Sequence, residues 1–451
     1  MKKINTFIVM FLCTLTTSAQ EKLTLDQCRQ LALENNKQMT AAAKQTQAAN
    51  YLQKSYKGNF FPNFMASGTG LYSSANGSFR IPGGNLPTFI PNANGSPTPT
   101  GGFAYFPGID LNYKVRTVWL GGIQMEQPIF MGGKILAAYK MATIGKQMAQ
   151  LNETLTASEV ILETDQAYTL MVKAKEMHKV AESYHAVLEE LMKNVQSAYK
   201  HGLKSKNDVL KVQVKLNESE LNIRKTENAL RLANMNLCHL IGKPLTETLQ
   251  TSDGFPVIEQ TLETQINDIT SRPEYSLLNK QVDIAKQKVK LSRSELLPQV
   301  GIRGSYYYIH GLKVNEQTLF DKGSYSVMLN ITVPIFHFGE RMNKVRAAKA
   351  QLEQARIEQA DLNEMMLLEL TQAVNNLDEA KLEADLADRS LEQADENRRI
   401  SKGEYDAGLE PLSDHLEAQA LWQQAYETKV DAHFMLYLNY VKYLKATGAL
   451  K

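Results

Sequence analysis

Two periodicities run through this 451-residue chain, one that suits strands and one that suits helices. In YSVMLNITVPIF, Val327, Leu329, Ile331 and Val333 fall on one side of an extended segment, with Ser326, Met328, Asn330 and Thr332 on the other. PQVGIRGSYYYIHG behaves alike, with Val300, Ile302, Tyr306 and Tyr308 opposite Gln299, Arg303 and Ser305. Val115, Thr117, Trp119, Ile123 and Met125 follow suit, and Phe64, Ala66 and Gly68 show the pattern most weakly. Four strands are predicted, over about 62–72, 114–130, 298–310 and 325–336. Elsewhere the period is helical. From Glu340 to Lys402 there is no Gly or Pro, and Met342, Val345, Ala348, Leu352, Leu362, Met366, Leu370, Val374 and Leu377 keep helical spacing. Lys134 to His201 is interrupted only by Gly145. At about 1.5 Å per residue such helices reach roughly 95–100 Å, far beyond the usual globular length. That is a coiled-coil or bundle signal.

The pattern is written twice. YKHGLKSKND (Tyr199 to Asp208) returns 206 residues later as YDAGLEPLSD (Tyr405 to Asp414). Pro128, Phe130 and Gly133 return with the same offset as Pro334, Phe336 and Gly339. Upstream, Phe60-Phe61-Pro62-Asn63-Phe64 resembles Leu296-Leu297-Pro298-Gln299-Val300 at an offset of 236, so the first copy carries 30 extra residues. These are rich in Gly, Pro, Asn and Ser, and predict a surface loop over 73–113. Each unit reads helix, strand, strand, helix, turn, helix. The 37 residues of 204–240 and the 26 of 36–61 together nearly match the 68 from Lys134 to His201, so two shorter helices stacked end to end would pair one long one. The repeated phrase then marks the far tip. Gly202 and Gly408 would reverse the chain where a Cβ would clash, and Leu203 and Leu409 would pack back onto their hairpins.

The domain reading follows. A signal peptide occupies 1–19: Lys2 and Lys3, an apolar run from Ile4 to Leu15, then Thr17-Ser18-Ala19. The first repeat covers 20–240 with its tip hairpin at 199–208, a connector 241–271, and the second repeat 272–451 with its tip at 405–414. Cys13 follows Leu12, which does not fit a lipidation site. Cys28 and Cys238 form no CxxC; export makes a bridge chemically possible, and two buried free thiols are the simpler reading.

Composition adds exclusions. The chain is 43% hydrophobic and 22% charged, which fits a folded protein. Without Lys2 and Lys3 it holds 48 basic and 48 acidic residues, and with no basic cluster this argues against nucleic acid. No mature segment has about 18 consecutive apolar residues, so any membrane crossing is by strands. Segments of about ten residues with one apolar side and aromatics near the ends fit an outer-membrane barrel. A soluble sheet with one wet face alternates in the same way; export and the long helices favour the membrane. Four strands cannot close a barrel, and an open edge in lipid is not tolerated, so the chain must oligomerise. No phosphate-binding glycine loop, nucleophile elbow or metal-spaced cluster occurs, and His178 and His185, seven apart, read as packed or solvated. Neither an enzyme nor a cofactor is indicated.

These residues resemble the TolC-type outer-membrane efflux proteins over essentially the whole mature chain. The resemblance rests on the two P-x-F-x-x-G junctions, the two Y-x-x-G-L tips followed by Asp, and RPEY at Arg272 to Tyr275. It implies an α+β membrane protein of the outer membrane of a Gram-negative bacterium: a homotrimer whose four strands per chain make a 12-stranded barrel, continued by a long α-helical coiled-coil tunnel across the periplasm. It implies an exit duct for tripartite efflux or type I secretion, opened at its helical tip by a periplasmic adaptor and an inner-membrane transporter. Tyr199, Gly202, Leu203, Gly408 and Leu409 would form the docking tips. Tyr405 would bond Asp208 in the closed gate, and Asp414 and Glu417, three apart on one helix face, would supply an acidic aperture ring. Glu410 stands where the family often has a basic latch residue opposite Asn207, and Lys204 or Lys206 could pair with Glu410 instead. Each position has a plainer reading. Asp208 and Asp414 both begin helices, where a carboxylate is favourable anyway, Ser205 to Asp208 resembles a capping box, and Tyr405 could simply pack. The rivals are a periplasmic coiled-coil structural or adaptor protein without a pore, and an adhesin binding through 73–113.

Overall fold

The computed structural model describes residues 22–252, 254–258, 268–315 and 317–450. The expected signal peptide, Cys13 and part of the connector lie outside them. In chain order the elements are α1 (Leu25–Asn35), α2 (Lys37–Gly58), β1 (Asn63–Tyr72), β2 (Asn76–Ile81), β3 (Gly84–Pro91), β4 (Pro97–Phe106), β5 (Ile109–Met131), α3 (Lys134–Lys200) and α4 (Lys206–Leu240). The second half holds α5 (Pro273–Ser294), β6 (Gln299–Val314), β7 (Gln317–Thr332), α6 (Glu340–Asp406) and α7 (Leu412–Thr447). The fold is α+β, and α3 and α6 each run 67 residues. The described residues divide into a sheet unit (50–144, 284–315, 317–353) and a helical unit (22–49, 145–252, 254–258, 268–283, 354–450).

In the sheet unit the order is β1-β5-β6-β7, antiparallel throughout, so the two hairpins of the duplication lie side by side. Among the described residues β1 pairs only with β5 and β7 only with β6, leaving two free edges. The register sorts the side chains cleanly. Phe64 and Ala66 lie opposite Met125 and Ile123; Ile123 faces Tyr306, which faces Tyr325, and Val327, Leu329 and Ile331 continue that exposed apolar face. The other face is polar. Arg303 pairs with Glu126 at 2.6 Å, the Tyr307 hydroxyl donates to Gln124 Oε1 at 2.9 Å, and Ser305 bonds Ser326 at 2.7 Å.

Glycines meet aromatic rings across the ladder. A Cβ on Gly70 would lie 2.7 Å from the Trp119 ring, and one on Gly77 2.6 Å from the Tyr113 hydroxyl. Tyr307 covers Gly122, and Tyr306 covers Gly323. In β1, weakest by pattern yet a full ten-residue strand, Gly70 makes room for the Trp119 ring.

The segment 73–113 differs from the expected loop, because it contains β2, β3, β4 and the start of β5. β2 extends the ladder on β5, and β3 pairs only with β4 among the described residues. The β3–β4 turn is built by Asn92, whose Oδ1 accepts from the N–H groups of Asn94 and Ser96, and by Gly95 at φ +74°. Pro87, Pro91, Pro97 and Pro99 are tolerated because a two-stranded ribbon is all edge. The second hairpin is also longer at the turn than its pattern, while β7 stops at Thr332 because Pro334 lacks an N–H and restricts Val333. The junctions themselves are equivalent. Gly132 and Phe338 share one repeat position and both have positive φ (61° and 46°). Phe338 takes on a cost of about 1–2 kcal/mol there and packs edge-on against Phe336 at 4.7 Å.

In the helical unit, α4 ends where α2 begins. Buried Asn36 breaks α1 from α2, donates to Leu240 O at 3.1 Å and accepts from Gln38 N–H at 2.7 Å. The duplicate joint is α7 to α5: Ser271 Oγ donates to Thr447 O at 2.8 Å. Gly242 and Gly448, at the same repeat position, turn out of α4 and α7 at φ +75° and +74°. Such head-to-tail stacking puts a helix C-terminus against an N-terminus, which suits both dipoles.

The main core joins Cys28 and Ala32 of α1 to Val160, Tyr168 and Val172 of α3 and Leu237 and Cys238 of α4. Both cysteines are free and buried, and burial pushes the Cys28 thiol up to about 12. The Asp165 carboxylate, 1% exposed, accepts from Arg29 Nε at 2.7 Å and Nη2 at 2.6 Å, and from the Tyr437 hydroxyl at 3.4 Å. Burial pushes Asp165 up and the guanidinium pulls it back; the bidentate geometry keeps the pair ionised, and Arg29 is raised by Asp165. One ion pair thus pins α1, α3 and α7 together.

Candidate functional site

Both tips are the same hairpin. Gly202 N–H donates to Tyr199 O at 3.0 Å and Leu203 N–H to Ala198 O at 2.9 Å. Gly408 donates to Tyr405 O at 3.0 Å and Leu409 to Glu404 O at 2.9 Å. These are Schellman closures, and Gly202 and Gly408 sit at φ +73° and +74°. A Cβ on either would meet nothing within 4 Å, so the glycines are required by the left-handed backbone and not by crowding. Leu203 and Leu409 do not fold back. They are 78% and 80% exposed, because the positions they would pack against hold Ala198 and Glu404. Tyr199 is exposed beside them.

Behind the glycines the copies diverge. Ser205 caps α4 in a full capping box: Asp208 N–H donates to Ser205 Oγ at 3.2 Å, and Asp208 Oδ2 accepts from Ser205 N–H at 3.1 Å and Oγ at 2.8 Å. These bonds hold the Asp208 carboxyl below its usual range. Pro411 occupies the matching position before α7 and offers no side-chain cap. Among the described residues Asp414 therefore accepts from the Ser413 hydroxyl alone, at 2.8 Å, and shares an exposed face with Glu417.

Tyr405 lies between the tips. Its ring stacks on His415 at 4.8 Å and 8°, and Lys204 Nζ stands 4.8 Å over it. No hydrogen bond joins Tyr405 to Asp208 among the described residues; burial first, then Asp208 and Asp406, raise the Tyr405 phenol. Glu410 is taken by Ser401 Oγ at 2.6 Å, so neither Lys204 nor Lys206 forms the substitute pair with it. The ring packs onto a core of Tyr184, Leu188, Leu191, Val195, Val212, Leu412 and Leu416. Ser401 and His415 went unremarked in the sequence reading. Laying the copies over one another at 206 would have found them, since they replace Val195 and Val209 of the first tip.

Away from the tips, His178 and His185 bridge α3 to α4 through Thr226 (3.1 Å) and Ser219 (2.8 Å). Among the described residues no cluster of three metal-ligating side chains occurs, and no helix is long and apolar enough to cross a membrane.

Comparison with known proteins bears on what this arrangement does. Residues 28–243 and 270–448 match the family described as outer membrane efflux protein. The alkaline protease secretion protein AprF of Pseudomonas aeruginosa is 20% identical over 245 residues, 52% of this chain and 50% of AprF. The outer membrane efflux protein BepC of Brucella suis is 20% identical over 292 residues, 62% of this chain and 63% of BepC. The chain thus spans between half and two thirds of these relatives. Among solved structures, the CmeC outer membrane channel of Campylobacter jejuni superposes with a TM-score of 0.75 at 19% identity, over 94% of this chain and 86% of CmeC.

Proposed function

The chain belongs to the outer membrane efflux protein family, and on that premise we propose that it forms a homotrimeric exit duct in the outer membrane of a Gram-negative bacterium. The observation that carries this is the sheet: an exposed apolar face, a polar opposite face and two edges unpaired among the described residues. In lipid such edges must be paired, and neighbouring copies pairing β1 with β7 would close a ring. Three copies give twelve strands, with the Arg303–Glu126 face lining water. The helical tips face the periplasm, where Leu203 and Leu409 offer apolar knobs, flanked by Tyr199, to an adaptor attached to an inner-membrane transporter. Cargo is selected upstream by that transporter. Relatives include both a secretion protein and an efflux protein, and both fit such a path. The duct performs no reaction.

Tyr405 forms part of the gate through the tip packing, with the capping carboxylate of Asp208 close enough to act on its phenol. Asp414 and Glu417, free of capping duty and exposed on one face, line the aperture. Two carboxylates from each copy would favour cations. Single-channel recording in planar bilayers tests this: a small, cation-selective conductance is expected, and Asp414→Asn with Glu417→Gln should abolish the cation preference. Folded protein that makes no pore refutes the duct and returns the coiled-coil adaptor reading.

A further inference from the structure

The second tip buries a histidine and a serine where the first tip, built on the same frame, has two valines, one buried and one half-buried. Ser401 and His415 are each 4% exposed and correspond to Val195 and Val209. The hairpin therefore folds without polar groups at these positions, and their presence in one copy only asks for another reason. Ser401 Oγ donates to Glu410 Oε2 at 2.6 Å and lies 3.2 Å from His415 Nδ1. A hydroxyl has one hydrogen, and Glu410 takes it, so His415 must donate its Nδ1–H to Ser401. A second proton can enter the ring only at Nε2. The imidazole covers one face of Tyr405, which leaves the other face for the Lys204 ammonium from the opposite hairpin.

We propose that His415 is a positioning residue of the gate, a proton-sensitive pin that holds Tyr405 against Lys204 and so fastens the second tip to the first. This rests on the reading of the tips as the gate. Neutral His415 lets the ring stack lie flat in a buried site. A protonated His415 would put an unsolvated cation there, with the Lys204 cation beyond the same ring. The charged groups around it are divided. Glu410 and Asp406 favour protonation and Lys402 opposes it. Arg398, one turn before Ser401, is committed to Asp395 at 2.6 Å and to the Trp422 ring at 4.1 Å. The first hairpin adds Lys204 and Asp208 around Tyr405, beside the apolar side chains of Leu188, Leu191, Val195 and Val212. Burial outweighs the two carboxylates and lowers the imidazole below its ordinary value. A group lowered in the fastened state is stabilising above its free value and loses that contribution as pH falls below about 6.5. Acidification should therefore unfasten the tip.

The test is single-channel conductance between about pH 7.5 and about pH 5.5, where only histidine among unperturbed side chains titrates. Wild type should conduct several-fold more at the acid end. His415→Phe keeps a ring on Tyr405 and should stay low and flat. Ser401→Val with His415→Val copies the first tip's own residues and should also lose the pH response, whatever its basal level. Lys204→Met and Tyr405→Leu should conduct more already at the neutral end. A wild-type pH profile in the Ser401→Val, His415→Val protein overturns the proposal, as does a flat wild type. If Tyr405→Leu still raises conductance in that case, the gate reading survives. If Tyr405→Leu and Lys204→Met also change nothing, the gate reading fails with it.

Discussion

Arg29→Met isolates the worth of burial in this fold. The substitution keeps much of the side-chain volume and leaves the Asp165 carboxylate, 1% exposed, with one long hydrogen bond from Tyr437 at 3.4 Å. Removing one partner of a buried, hydrogen-bonded ion pair costs about 3–5 kcal/mol. Arg399–Glu396 supplies the control, since it has the same 2.6 Å separation but lies on the surface of α6. Exposed pairs are worth about 0–1 kcal/mol, so Arg399→Gln should be nearly silent. Thermal melts followed by helical circular dichroism should put Arg29→Met several degrees below both wild type and Arg399→Gln. The pH dependence carries the sign. Burial already raises Asp165, and the cation that opposed this rise is gone in the variant. A carboxyl whose folded value lies above its unfolded value carries no penalty below the unfolded value. The penalty grows as pH rises and is complete above the folded value. The deficit should therefore be full near neutrality and shrink on acidification, and adding Asp165→Asn should recover much of it. If Arg29→Met melts with Arg399→Gln at neutral pH, the pinning of α1, α3 and α7 by this pair is wrong.

Two further outcomes are expected in the sheet. Gly122→Val would drive a Cβ into the Tyr307 ring and to 2.5 Å from the Tyr306 carbonyl oxygen, which cannot yield; the yield of heat-modifiable, folded protein should collapse, whereas Gly68→Ala, with nothing within 4 Å, should be tolerated. Replacing residues 82–108 by Asn-Gly joins the cross-strand partners Ile81 and Ile109 through a two-residue turn and removes β3–β4 without touching the β1-β5-β6-β7 ladder. Conductance should be unchanged, and a lost pore would show that the hairpin is part of the duct.

The sequence by itself determined what depends on neighbours along the chain. The runs of 134–201, interrupted only by Gly145, and 340–402 could only be long helices, and the alternation around Val327 and Ile302 set which side of each strand is apolar. The 206-residue offset marked both tips, and the glycine in each had to take a left-handed backbone. Tertiary structure decided everything that depends on a partner far away in sequence. The Gly- and Pro-rich 73–113 segment read as a loop because its strands have no periodic apolar side; they exist because β3 and β4 satisfy each other and β5 accepts β2. Leu203 and Leu409 looked like packing residues, and only the small or charged residue across the turn left them exposed. Asp208 and Asp414 looked alike until Ser205 and Pro411 assigned one to capping and freed the other. The Lys204–Tyr405–His415 stack joins residues from both hairpins, and periodicity is blind to which face of one hairpin meets another. Local pattern sets the element and its apolar side; the choice of partner is a non-local energy that only the folded chain resolves.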